Sequence, residues 1–194
     1  GRSIAFSAGV GLNDYVGFVD LAGRMEKIVT FPDSESSIGG DLGRPEPWSP
    51  DGRELAFVSN LHDHHDIGIL DIGTRHVRWS VENKWDKARP VWSPDGKRIA
   101  FLENHDGNVQ LKTVSTAGKT ARLISPAKGT ANRALWHPDE KGLIYHHSTF
   151  RQPDRLLLSR GDRTRVLVNG SRGKAPKAEL AEAKLVWYPS FDGR

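Results

Sequence analysis

The tryptophans at 48, 92 and 136 are separated by 44 residues each, and each one opens a version of the same phrase. The middle copy is Arg89-Pro90-Val91-Trp92-Ser93-Pro94-Asp95-Gly96-Lys97-Arg98-Ile99-Ala100-Phe101. Upstream stands Pro47-Trp48-Ser49-Pro50-Asp51-Gly52-Arg53-Glu54-Leu55-Ala56-Phe57, and downstream Arg133-Ala134-Leu135-Trp136-His137-Pro138-Asp139-Glu140-Lys141-Gly142-Leu143-Ile144-Tyr145. A fixed period of this length means that one supersecondary unit is repeated, and that each unit buries its apolar face against the next.

Each copy has a mechanical reading. A short strand ends in Trp. Pro-Asp-Gly then turns the chain, with proline presetting φ and glycine available where φ is positive. Leu55–Val58, Ile99–Leu102 and Leu143–Tyr145 follow as second strands. Third strands are expected at Asp66–Leu70, Asn108–Val114 and Arg155–Ser159, and fourth strands at His76–Trp79, Ala121–Ile124 and Thr164–Val168. Four strands in about 40–50 residues is the arithmetic of a propeller blade. The expected fold is all-β, a partial beta-propeller of about four four-stranded antiparallel blades. Trp48, Trp92 and Trp136 are expected to be mostly buried at equivalent places between sheets, where a large ring covers the most apolar area. Asp51, Gly52, Asp95 and Gly96 are expected to hold the turns.

The chain falls into blades at about 1–31, 44–83, 84–128 and 129–169, a linker at 170–184, and a last stretch at 185–194. Ser3–Ser7, Val16–Leu21 and Met25–Phe31 supply only three strands, so the first blade begins one strand late. Pro32 to Arg44 reads as an irregular solvated loop, with a binding loop as the alternative. It lengthens its unit: Phe6 to Phe57 is 51 residues, whereas Phe57 to Phe101 is 44. Residues 178–184 favour a helix but are too few to hold one alone. Val186-Trp187 reads as the start of another hairpin.

His62-Asp63-His64-His65-Asp66 is the one cluster with metal-ligating chemistry, through His62, His64 and His65. The competing reading is a polar turn, since adjacent His64 and His65 point oppositely in an extended chain. No metal and no cofactor is expected. Trp79 and Trp85 read as packing residues, with an aromatic ligand surface as the alternative. Of His146 and His147, one should share the core with Tyr145 as a buried neutral imidazole holding one hydrogen bond. Lys and Arg are interspersed with Asp and Glu for a net charge of only +4, without a basic-aromatic stripe, which speaks against nucleic acid. No apolar run reaches the length of a membrane span, and the absence of cysteine removes thiol chemistry and disulfides.

The two intact Trp-Ser-Pro-Asp-Gly phrases resemble the WD40-like beta-propeller repeat of TolB and of the propeller domains of prolyl oligopeptidase-family serine peptidases. Asp71-Ile72-Gly73-Thr74 is similar to the aspartate turn after the third strand of such blades. In the tail, Tyr188, Ser190, Asp192 and Gly193 are similar to the strand that opens the α/β-hydrolase domain of acylaminoacyl-peptidase-like members. The resemblance implies a non-catalytic propeller that gates and filters peptides for a hydrolase domain absent from this chain. The alternative it implies is a TolB-like interaction scaffold.

No Gly-x-Ser-x-Gly nucleophile elbow occurs, so no catalytic residue is assigned. Arg44, Arg89 and Arg133, just ahead of the tryptophans, are candidates for binding substrate, against the alternative of solvated charges lining a wet tunnel. The expected partners are the missing hydrolase domain or a second copy, with the tail supplying the strand that the first blade lacks, together with peptides. A cytoplasmic setting would suit the peptidase and a periplasmic one the TolB-like scaffold.

Overall fold

The computed structural model describes residues 3–10, 13–29, 31, 34–37, 47–139, 141–171, 173, 184–189 and 191. Arg44, most of the 170–184 linker and Ser190, Asp192 and Gly193 of the tail lie outside them. All fifteen described elements are strands. Blade 1 is β1 (Ser3–Val10), β2 (Asn13–Asp20) and β3 (Met25–Val29), hydrogen-bonded in that order. Blade 2 is β4 (Ser36–Ser37), β5 (Glu54–Ser59), β6 (Asp66–Asp71) and β7 (Val77–Trp79). Blade 3 is β8 (Lys87–Trp92), β9 (Arg98–His105), β10 (Asn108–Ser115) and β11 (Arg122–Leu123). Blade 4 is β12 (Thr130–Trp136), β13 (Leu143–Thr149), β14 (Gln152–Arg160) and β15 (Arg163–Val168). Neighbouring strands within a blade are antiparallel, and one parallel contact, Val109 with Thr130, joins blades 3 and 4.

The cores lie between blades. Successive residues of a strand face opposite sides of its sheet, so each second strand feeds two cores at once. Leu55 and Phe57 pack with Val16, Phe18 and Val29 of blade 1, while Ala56 packs with Trp92, Ile99 and Phe101 of blade 3. Ala100 and Leu102 in turn pack with Leu143, Tyr145 and Leu157 of blade 4. This is why the second strands read as continuous apolar runs. Phe57 lies across from Gly68 in the register, and a Cβ there would stand 2.2 Å from its ring.

The repeated phrase builds the same turn twice. The Ser49 hydroxyl donates to Asp51 Oδ1 at 2.6 Å and accepts the Glu54 N–H at 2.9 Å. Ser93 repeats both bonds with Asp95 and Arg98 at the same distances. Gly52 and Gly96 close the turns with φ of 71° and 70°. These bonds hold both aspartates below the ordinary carboxylate range, the serine hydroxyl first and the Arg53 or Lys97 N–H next. In blade 4, His137 takes the serine's place, accepting the Asp139 N–H on Nδ1 at 3.3 Å.

The tryptophans are equivalent but not equally buried. Trp92 Nε1 donates to Pro47 O at 3.0 Å and Trp136 Nε1 to Val91 O at 3.1 Å. Each indole thus ties its inner strand to the residue before the preceding blade's tryptophan. Trp92 is 6% exposed. Trp48 and Trp136 are also largely covered, though less completely than Trp92. Trp48 stacks on Phe18 of the incomplete blade 1, and Trp136 is covered by the Arg98 guanidinium, 4.6 Å from its ring centre.

One expectation is corrected. The stretch from Pro32 to Arg44 is not loop throughout. Ser36 and Ser37 pair with Ser59 and Val58, and the buried Ser36 hydroxyl bonds that of Ser59 at 2.9 Å. Serines satisfied by a cross-strand partner can be buried, and no apolar pattern announces them. Blade 2 therefore begins at Ser36, ahead of residue 44, and the added length falls at 38–46. Separately, the tail at 184–189 is exposed and pairs with no described strand of the same chain.

Candidate functional site

The inner strands β4, β8 and β12 converge on a cleft of about 510 Å³. Its floor is apolar, with Val58, Leu102 and Ala131, and its walls carry His65, Asp86, Arg89, Asn104 and Asn132. Among the described strands β8 pairs only with β9, and its Lys87 N–H donates to His65 O at 2.8 Å. Both β8 and β12 bulge at the same place. Between the pairs Ala88–Leu102 and Val91–Ala100, two residues of β8 oppose one of β9, and β12 repeats this between Asn132 and Leu135. The first residue of each bulge is an arginine at positive φ, Arg89 at 54° and Arg133 at 52°. A left-handed arginine is strained, and bulges re-aim the side chains they carry. Arg89 Nη1 donates to Asn132 Oδ1 at 2.6 Å, bridging the two inner strands across the cleft. Arg133 is exposed and outside the cleft lining. Of the three candidate arginines the structure therefore brings one into the cleft, and Arg44 lies outside the described residues.

Behind the cleft is a buried polar network that the motifs did not reveal. The Lys87 ammonium, fully buried, donates to Asp66 Oδ1 at 2.7 Å, Trp85 O at 2.7 Å and Asn83 O at 3.1 Å. The other Asp66 oxygen faces His62 Nδ1 at 3.1 Å and His64 Nε2 at 3.2 Å. His65 turns away to Asp86, 3.2 Å from its Nδ1. The histidine cluster is thus divided between two carboxylates, and among the described residues no three such groups are arranged to hold a metal ion. Glu103 lies opposite Lys87 in the register and pairs with Lys112 and Asn83. Burial works to raise its pKa, but Lys112, Asn83 and Lys87 together bring it below the ordinary value. The clue to Lys87 was its place five residues before Trp92, where blade 4 has buried Ala131.

Trp79 packs against Phe57, Phe31 and His62, and Trp85 against His105. His147 shares the core with Tyr145, is 1% exposed, and donates from Nε2 to Lys128 O at 3.1 Å. Burial first, and then the Arg155 charge, push its imidazole below the ordinary histidine value. The unfolded chain therefore binds the proton more readily. The stability this residue contributes is full above about pH 6.5 and is lost as pH falls toward the depressed folded value. Urea unfolding at pH 7 and 5 is expected to show a smaller loss for His147→Gln than for the parent chain. Equal losses would contradict this account.

A second recess lies where the β9–β10 and β13–β14 turns, the Lys128–Gly129 link and the tail residues Lys184 and Leu185 meet. Its volume is about 760 Å³. The His62–His65 turn joins β5 to β6 as those two turns join their blades' second and third strands, so all three occupy one rim.

The chain matches the TolB beta propeller domain over residues 15–190. No curated protein matches it. Among solved structures it is similar to TolB from Acinetobacter baumannii, with a TM-score of 0.65 and 19% identity over 90% of this chain and 43% of that one. It is similar to a puromycin hydrolase mutant complexed with PGG, with a TM-score of 0.77 and 13% identity over 100% of this chain and 31% of that one. Acylaminoacyl peptidase in complex with Z-Gly-Gly-Phe-chloromethyl ketone is similar at a TM-score of 0.65 and 17% identity, over 87% of this chain and 26% of that one. The chain spans less than half the length of each of these three structures, and such identities speak to fold alone. The repeated turns, the indole ties between blades and a domain match running over most of the sequence agree: the chain belongs to the TolB beta propeller domain family.

Proposed function

We propose that this chain is the propeller portion of a prolyl oligopeptidase-family serine peptidase, where it gates and filters peptides for an α/β-hydrolase domain. The observation that carries the reading is the tail. Val186 is 71% exposed and Trp187 and Tyr188 are each 82% exposed, in a segment that no described sheet takes up. Contiguous exposed apolar surface of this kind marks a place where another surface docks. Lys184 and Leu185 leave from the rim that carries the turns between second and third strands. A hydrolase domain following the tail would cover these aromatics and sit over that rim. The cleft behind it, about 510 Å³, has the volume of a small-ligand site and admits a short extended segment, not a folded protein.

The alternative, a TolB-like interaction scaffold, is favoured by the domain match itself. One experiment separates the two. The 194-residue chain is expected to hydrolyse neither peptide nitroanilides nor acyl-peptides above background. The same chain extended past Arg194 along its own coding sequence is expected to hydrolyse them and to be blocked by a serine-directed inhibitor. An extension without a Gly-x-Ser-x-Gly segment, or turnover by the short chain, overturns the proposal.

A further inference from the structure

We propose that the recess beneath Phe150 is a binding site for a carboxylate joined to an apolar body, the chemistry of a peptide's C-terminal hydrophobic residue. Three cations line it, Lys128, Arg151 and Lys184, against one acid, Asp106. Asp106 is already drawn toward His105, 3.9 Å from its Nε2. The ammonium groups of Lys128 and Lys184 have no carboxylate partner among the described residues. A carboxylate entering the recess would therefore meet uncompensated positive charge at two points.

Thr149 adds a directed donor. Its Oγ1 accepts the N–H groups of Arg151 at 3.3 Å and Gln152 at 3.1 Å. Both bonds use oxygen lone pairs, so the hydroxyl hydrogen is left to give. The apolar part of the ligand has a matching wall: Phe150 is 64% exposed at the tip of its turn, and Leu185 is 60% exposed across the recess. An aromatic ring left in water beside fixed charges suits a ligand with one apolar face and one charged end.

The platform is preformed. Lys128 is anchored through its carbonyl to His147 Nε2 at 3.1 Å. The Gly129 N–H donates to Asn108 Oδ1 at 2.9 Å, and Gly129 O accepts from Val109 N at 3.0 Å. Gly129 has a φ of 105°, and a Cβ there would stand 2.3 Å from Ser148 O, so only glycine fits this link. A backbone held at three points loses little freedom when a ligand arrives, which leaves more of the contact energy as affinity.

The test is titration of the 194-residue chain with N-acetyl-phenylalanine and with its amide, followed by calorimetry or amide shifts in NMR spectra. The acid is expected to bind at least about tenfold more tightly than the amide, with the difference shrinking as salt is added. Lys128→Ala and Lys184→Ala are each expected to weaken the acid about fivefold or more while leaving the amide unchanged. Lys128→Arg, which keeps the charge, should retain binding, and Phe150→Ser should weaken both ligands together. Both lysine side chains are exposed, so thermal melts should match the parent's and exclude misfolding as the cause. Equal binding of acid and amide, no binding of either, or loss of binding in Lys128→Arg overturns the proposal. The inference does not rest on the peptidase reading: binding is read on this chain alone, whereas that reading is tested by extending it.

Discussion

Trp92→Ala is expected to lower the free energy of unfolding by about 3–5 kcal/mol, the usual cost of removing a large buried aromatic. Trp92 is 6% exposed and lies in the core shared by blades 2 and 3, beside Ala56, Ile69, Val81, Ile99 and Phe101. Truncation opens a cavity between two sheets and removes the indole N–H bond to Pro47 O, which keeps only its bond from Ala56 N at 2.6 Å. The two sheets cannot close on the gap, because the Ser93 and Asp95 bonds hold the adjoining turn. Trp136→Ala should cost less, since its ring is less completely buried and lies under Arg98. Urea denaturation of both variants checks the order. A Trp92 loss no larger than the Trp136 loss would mean that the inter-blade core is not what holds these sheets together.

The second large effect concerns Lys87. Lys87→Met is expected to cost about 3–5 kcal/mol, because it leaves the Asp66 carboxylate buried without its ammonium. It also removes a positive charge facing Glu103. The cost belongs to the orphaned acid more than to the lost contact. Combining Lys87→Met with Asp66→Asn is therefore expected to recover more than half of it, since a neutral amide can stay buried while still bonded to the His62 and His64 rings. Simple addition of the two single losses would refute the coupling.

What was legible in advance followed from physics that repeats. The 44-residue spacing, the apolar second strands and the Ser-Pro-Asp-Gly turns each declare themselves locally, and they suffice to place four blades. The inner strands were harder. Ser36–Ser37 and Lys87–Ala88 carry no apolar pattern because their polar side chains are satisfied by groups distant in sequence, Ser59 and Asp66. The candidate site shows the same division. Arg89 could be singled out by its place before Trp92, but its partner Asn132 lies 43 residues on and needs the arc to bring it near. The histidine cluster offered metal-ligating residue types, but the sequence alone could not say which carboxylate each imidazole meets. In the fold they serve different carboxylates, and which one each reaches is set by the β5–β6 turn. The Phe150 recess was invisible, since it assembles from two turns, a link and the tail.

The inner-strand bulge has a consequence for how such a chain can change over generations. In blades 3 and 4 the bulge holds residues 89–90 and 133–134 opposite Phe101 and Tyr145. In blade 2, Ser37 pairs with Val58 and Trp48 with Leu55, so many more residues separate the two paired positions there. One blade thus accepts an insertion at the point where its siblings have two residues, and the flanking ladder continues across it. Lengthening a loop costs little once its ends are fixed. The bulge is therefore a port at which sequence can be added without re-registering the sheet. Each blade can therefore lengthen here by insertion, while the packing that stabilises the blades is left to a separate set of residues.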